Sequence, residues 1–384
     1  MRPASEAERR RLNETFAELC AIASPSGRER ACADAVTGHL REIGLDATED
    51  DTTAETGADC GNLLVRIPSR RDGAPTILLA AHMDTVAVAG PIEPVVEEGL
   101  WINRHDAILG ADNKLAVAVL IELARRVAVE GSPVGLELVF TTGEEVGLQG
   151  ARAFDTSTLV SARGFVFDNA QPIGAIVVAS PTHFRFGATF HGIAAHAGVR
   201  PEAGRSAVHA AAKAVAAMPS GRIDAETTAN VASIRGGTES STNIVPDRCT
   251  ITGECRSLDD ARAEATLAAI VDAIHDAAND PANPVDVDVT SERHFRGFRL
   301  RPGDPVVAAA ERALRACGYT PELIPTGGAS DANAFIAQGL PVVNLANGTE
   351  RNHQPDERVS VQALEGMLDV ALALLDACAE EDPI

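Results

Sequence analysis

Four short apolar runs of this chain lead into residues that can bind a cation, and that arrangement limits the folds open to it. The runs are Thr76–Ala81, Leu136–Thr141, Gly164–Phe167 and Pro341–Ala346. The polar groups beyond them are His82 with Asp84, Glu144 with Glu145, Asp168, and His353. A further acidic residue, Asp112, stands just before an apolar helical stretch that begins at Lys114. Short runs rich in Val, Ile and Leu read as buried strands. In open α/β sheets, ligands collect outside the carboxyl ends of such strands. Groups spread from residue 82 to residue 353 would then meet at one edge of one sheet.

The periodicity around these runs sets the architecture. A chain of 384 residues exceeds the size at which one core keeps growing, so two domains are expected. Helical patterns at Ala4–Ala23 and Arg28–Ile43 open the chain, the second with Ser26 as its expected cap and Gly44 as its stop. Strands then alternate with helices, among them Lys114–Val129. The same style resumes near Gly303, with helices at Asp304–Cys317, Ser330–Ala337 and Val361–Ala379. This alternation predicts an α/β fold, a mainly parallel mixed sheet sandwiched by helices. The middle of the chain reads differently. Strand-like runs at Thr182–Phe190, Ala229–Arg235, Arg248–Arg256 and Pro284–Val289 are interleaved with helices at Gly204–Met218 and Leu258–Ala278. That β-α-β-β-α-β order predicts an inserted α+β, ferredoxin-like domain over residues 181–302. Residues 1–180 and 303–384 would form the discontinuous metal-binding domain around it.

Composition excludes several roles. A formal net charge of −22 argues against nucleic acid or an anionic membrane surface as partner. No apolar run has the length of a membrane span, and Met1–Arg11 is charged, without the apolar centre of a signal peptide. Seven scattered cysteines with no CxxC pair read as reduced packing residues. These features together predict a cytoplasmic protein.

Each candidate residue has an ordinary role when taken singly: a packed histidine, a solvated Glu-Glu face, an Asp that caps a helix. Their joint placement at strand and helix ends points to a two-metal centre. Such a centre needs about three protein ligands per ion, one carboxylate shared between them, and a water in between. His82, Asp112 and Asp168 are assigned to one ion, Asp112, Glu145 and His353 to the other, with Asp112 as the bridge. Glu144 neighbours a ligand without having to be one, which suits a general base. Asp84 is expected to accept a hydrogen bond from the His82 imidazole and fix its tautomer.

The segments LLAAHMDTV (78–86), LGADNK (109–114), TTGEEVGLQGA (141–151), FVFDNA (165–170), HGIAAHAGVRPEAGRSA (191–207), STNIVPD (241–247), CRSLD (255–259) and TGGASDANAF (326–335) resemble, in order and over nearly the whole chain, a family of two-zinc metallopeptidases. That family includes peptidase T, carboxypeptidase G, aminoacylase-1 and the acetylornithine and succinyl-diaminopimelate deacylases, and the peptidase T-like branch fits best. The resemblance implies a zinc-exopeptidase type of fold with two Zn2+ per subunit, Co2+ or Mn2+ being alternatives. It implies a homodimer formed through the inserted domain, which also acts as a lid. It places His196 in the partner subunit's site to stabilise the oxyanion, Asn243 and Arg256 against the substrate, and Gly327 and Gly328 in a loop that approaches the substrate closely. It also implies a cis peptide after the bridging Asp, at Asp112–Asn113. Aspartate at position 168 favours the aminopeptidase side of the family. The expected activity is cleavage of an amide bond in small peptides, as by a tripeptidase. An N-acyl amino acid amidohydrolase or carboxypeptidase is the alternative, and a non-catalytic zinc-binding dimer is the reading from another class.

Overall fold

The segment TILLAAH at 76–82 contains no charged residue and is buried on both faces from Ile77 onward, as a strand in the middle of a helix-covered sheet must be. The computed structural model describes residues 1–238 and 240–380 and divides them into two units. The first comprises Met1–Ala179 and Leu300–Ile384, the second Ser180–Arg299.

In the first unit, strand Thr76–His82 lies parallel to Gly135–Thr141 on one side and to Arg163–Val166 on the other. The sheet continues from Gly135–Thr141 through antiparallel Leu63–Ile67 to Thr48–Glu49, and from Arg163–Val166 through parallel Val342–Leu345 to Ala175–Ser180. Glu322–Pro325 pairs parallel to Ala175–Ser180. Four strands were anticipated here. Leu63–Ile67, Ala175–Ser180 and Glu322–Pro325 add to these, since short runs without a flanking motif do not separate strand from helix in sequence. Leu79, Leu138, Phe165 and Val343 have no exposed surface. Each such side chain contributes on the order of 1.5–3 kcal/mol by burial, so the strand ends project from a firm platform.

Helix Glu6–Ala21 starts from a Ser5–Glu8 capping box. Helix Arg30–Glu42 is stopped by Gly44 at φ 76°, the left-handed conformation expected of a terminating glycine. Its start differs from expectation. The residue at the cap is Glu29, and the Ser26 hydroxyl donates instead to Asp84 Oδ2 at 2.6 Å. Helix Ala111–Glu130 is buried over most of its circumference, as a helix deep in a core must be. Its first turn is irregular at Asp112 and Asn113, and the Asp112–Asn113 bond is cis. A smaller sheet, Thr349–Glu350, Arg358–Ser360, Leu100–Asn103 and Pro94–Glu97, completes this unit.

The second unit follows the β-α-β-β-α-β order, with an added short strand at Gly221–Arg222. Its antiparallel sheet runs Gly221–Arg222, Thr227–Gly236, Arg248–Ser257, Thr182–His191, Asp286–Phe295. Along Thr182–His191, Phe184, Phe186, Ala188 and Phe190 are buried with helices Ala207–Ala217 and Asp260–Ala278, while Arg185 faces outward. The alternation is that of a sheet covered on one face only. Among the described residues, no helix is long and apolar enough to cross a membrane.

Candidate metal centre and active site

Register brings the site together. His82 ends its strand opposite Thr141 on the neighbouring strand, and Ala80 is level with Val166, so the residues just beyond these positions emerge at one sheet edge. His82 is 1% exposed. Its Nε2 lies 3.4 Å from Asp112 Oδ1 and 3.6 Å from Asp168 Oδ1. The other oxygen of Asp112, Oδ2, lies 3.3 Å from His353 Nε2, which is 2.9 Å from Glu145 Oε1. The Asp112 carboxylate therefore turns one oxygen to each group. Donor atoms about 2.0–2.2 Å from a tetrahedral ion stand about 3.3–3.6 Å apart, and three of these four separations match that edge. Asp112 Oδ1 is buried with no hydrogen-bond partner, an arrangement that a cation would satisfy. The nitrogen and oxygen donors suit a borderline ion such as zinc. Glu144 also lies here: donor atoms of His82, Glu144 and Asp168 fall within 4.8 Å of one another, as do those of His82, Asp112 and Glu145.

Electrostatics give the same picture. Burial, reinforced by Asp112, pushes Asp168 up to about 7, and burial with Asp168 nearby drives Glu144 well above the usual carboxylate range. Burial alone would lower His82, yet Asp168, Asp112 and Asp84 hold it well above the ordinary imidazole value. Hydrogen bonds to Asp112 and Glu145 raise His353 to about 10. So many carboxylates crowded out of water favour either protons or a divalent cation between them.

Asp84 does more than expected. His82 Nδ1 sits closer to the Asp84 backbone carbonyl, at 3.0 Å, than to its carboxylate, at 3.3 Å. The carboxylate accepts instead from the backbone N–H groups of Glu144 at 2.9 Å and Glu145 at 3.2 Å, and so shapes the turn that presents both glutamates. Glu29, fully buried, accepts from Gly143 N–H at 3.0 Å in the same turn.

His353 does not follow directly on the strand Val342–Leu345. It sits in the hairpin between Thr349–Glu350 and Arg358–Ser360, in a left-handed conformation at φ 67°. Other contributors have no role assigned from the sequence, although Asp331 lies within the segment TGGASDANAF. Asn344 accepts from Asp168 N–H at 2.9 Å and donates to the Asp168 carbonyl at 2.8 Å. Asn352 donates to Asp112 Oδ2 at 2.8 Å. Asp331, 1% exposed and bonded to Thr141, is pushed up to about 6 by burial. For Asn344 the available signal is an asparagine interrupting the buried run VVNL.

With this centre in place, comparison with known proteins is decisive. The model of peptidase family M20/M25/M40 matches residues 78–377. The chain belongs to the M20 family. M20 proteins are metal-dependent hydrolytic enzymes, and this chain is one of them. It is similar to the uncharacterized protein YqjE of Bacillus subtilis, at 37% identity over 97% of this chain and 99% of that one. Its fold matches aminopeptidase PepT from Bacillus cereus with a TM-score of 0.90 and 38% identity, covering 97% and 99% of the two chains. A tripeptidase from Staphylococcus aureus matches with a TM-score of 0.92 and 31% identity, also over 97% and 99%.

The other residues singled out by the sequence resemblance can be placed within their own units. In the second unit, His196 and Asn243 are exposed, and the Ala197 N–H donates to the Asn243 carbonyl at 2.8 Å. The Arg256 guanidinium is joined to Glu254 through Nε at 3.0 Å and Nη2 at 3.1 Å, so part of its fork is engaged. In the first unit, a Cβ at Gly327 would meet nothing within 4 Å, and at Gly328 only Thr326 Oγ1 at 3.9 Å. Among the described residues, no side chain or backbone atom crowds a Cβ at either position.

Proposed function

We propose that this M20 enzyme is a peptidase T-like aminopeptidase acting on small peptides, with a site that would hold two zinc ions and Asp112 as the ligand common to both. In this reading His82 and Asp168 complete one ion's ligand set, and Glu145 and His353 the other's. The observation that carries it is the Asp112 carboxylate, which directs separate oxygens at His82 and His353 with separations near a tetrahedral edge. The bound ions would polarise the scissile carbonyl and make hydroxide available near neutral pH. Glu144 takes the proton from the attacking water and passes one to the departing amine, a role suited to a carboxyl whose pKa burial has raised. Asp84 keeps Glu144 in place through the Glu144 N–H.

The remaining groups come mostly from the inserted unit, with Gly327 and Gly328 in the first. His196 of one subunit stabilises charge developing on the carbonyl oxygen in the partner's site, which requires a homodimer. Asn243 and Arg256 receive the far end of the peptide, Arg256 by exchanging Glu254 for the terminal carboxylate. Gly327 and Gly328 leave room for the substrate backbone. Six of the seven free cysteines are buried, which suits a reducing cytoplasm. The similarity to an aminopeptidase PepT and a tripeptidase, together with aspartate at position 168, supports N-terminal cleavage of free peptides.

The test is turnover by the metal-replete enzyme of free tripeptides against N-acyl amino acids and C-terminally extended blocked peptides. Hydrolysis of free tripeptides, releasing the N-terminal residue, is expected. Cleavage of blocked substrates alone would assign the chain to the amidohydrolase or carboxypeptidase side of the family.

A further inference from the structure

Two ligands proposed for the same ion, Asp112 and His353, lie far apart in the chain, and something must set the distance between them. His353 rides on the hairpin loop between Glu350 and Arg358, which pair across the base of the turn. The loop is closed by the Gln354 N–H on the Arg351 carbonyl at 3.1 Å and the Glu357 N–H on the Gln354 carbonyl at 3.0 Å. It holds both Arg351, at φ 58°, and His353, at φ 67°, in the left-handed region, which non-glycine residues adopt only where the surroundings enforce it. At its end stands Glu357, 1% exposed. Glu357 Oε2 accepts from the Gly110 N–H at 2.7 Å, and Oε1 accepts from the Asp112 N–H at 2.9 Å.

We infer that Glu357 is a positioning residue that clamps the backbone of the bridging Asp112 to the loop carrying His353, and so sets the geometry of the second ion's site. The inference rests on the two-cation reading above. Both Glu357 oxygens face an N–H donor, a demand that only a carboxylate meets. Glutamine in the same place would turn its NH2 toward one of the two N–H groups and leave it unpaired. From the same loop, Asn352 holds the Asp112 side chain through Oδ2. Backbone and carboxylate of Asp112 are thus both referenced to the hairpin. Outer partners of this kind typically change metal affinity by about 10–100-fold when removed.

The test is zinc titration of the metal-stripped full chain against a competing chelator, resolving the stepwise constants for wild type, H353A, E357Q and E357D, with melting of each metal-free protein. H353A identifies the step that depends on the hairpin. E357Q is expected to weaken that step by about 10–100-fold while changing the other by less than about threefold, and E357D, which keeps two acceptors, to recover part of the loss. A purely structural role would lower the melting temperature and weaken both steps alike. Equal loss at both steps, or unchanged affinity, overturns the inference. If wild type itself takes up a single ion, the two-cation reading falls and this inference with it. That outcome is distinguishable from wild type and E357Q each binding two ions equally well. Should E357Q not fold, amide exchange in metal-free wild type decides: protection of the Gly110 and Asp112 N–H groups is expected, and free exchange of both refutes the clamp.

Discussion

In the first unit, charge is held out of water. His82, Asp84, Asp112 and Asp331 are all buried and crowd against Asp168, Glu144 and Glu145, while buried Glu357 adjoins Asp112. In the second unit, ion pairs lie at or near the surface: Arg293 with Glu264 and Arg299 with Glu226 are exposed, while Arg256 with Glu254 is half-buried and Glu254 also meets His183. The contrast separates two kinds of work. An exposed pair contributes about 0–1 kcal/mol and can change partners freely. A buried excess of carboxylate is tolerable only if protons or cations compensate it. In the proposed reading, the first unit therefore holds the metal and carries the reaction. In the same reading, the second exchanges its ionic partners for those of a substrate, which is what recognition requires.

Substitutions can break this contrast at either end. Asp112→Ala removes the shared carboxylate, and the largest effect is expected there: metal content dropping below two per subunit by elemental analysis, and turnover reduced to background. Glu144→Gln should lower kcat by about 10²–10⁴-fold with metal content unchanged. A loss of metal together with activity would make Glu144 a ligand instead of a base. Arg256→Ala, in the second unit, should lower kcat/KM by about 10–100-fold for peptides with a free terminal carboxylate, mainly through KM, and far less for the corresponding amides. Equal losses on both substrates would remove Arg256 from carboxylate recognition.

Metal removal sharpens the same comparison through pH. Burial raises the folded-state pKa of Asp168 to about 7 and of Asp331 to about 6, above the ordinary aspartate value of 3.8. A raised folded-state pKa contributes stability that is complete below the unfolded value and lost as pH climbs through the folded one. The metal-free protein should therefore lose thermal stability between about pH 4 and pH 7, and added zinc should abolish that slope. A metal-free melting curve independent of pH in this window would contradict the crowding of buried carboxylates. The smallest effect is expected at the open pairs. Arg293→Ala should change stability by no more than about 1 kcal/mol, measured by denaturant unfolding.

The legible part of the site was whatever lies immediately beyond a strand or before a helix: His82, Asp112, Glu144, Glu145 and Asp168 are all local to an element with a clear hydrophobic signal. The inserted unit was legible for the same reason, since its strands alternate and its helices are amphipathic. What escaped depends on partners far away in sequence. Ser26 has the residue type of a cap, but Asp84, 58 positions on, competes for its hydroxyl. His353 follows an apolar run in sequence, but a second small sheet intervenes and turns the chain back. Glu357, Asn344 and Glu29 act on backbone N–H groups and carbonyls, which leave no trace in residue spacing. Their single sequence-level sign is polarity in a setting that proves to be buried, and burial is a property of the assembled fold.

The two-cation centre is tested most directly by anomalous diffraction at the zinc edge from crystals grown with zinc. Two peaks about 3.5–4 Å apart are expected, one on each side of the Asp112 carboxylate. One should lie within bonding distance of His82 and Asp168, the other of Glu145 and His353. A single peak, or ions bound away from Asp112, would contradict the account.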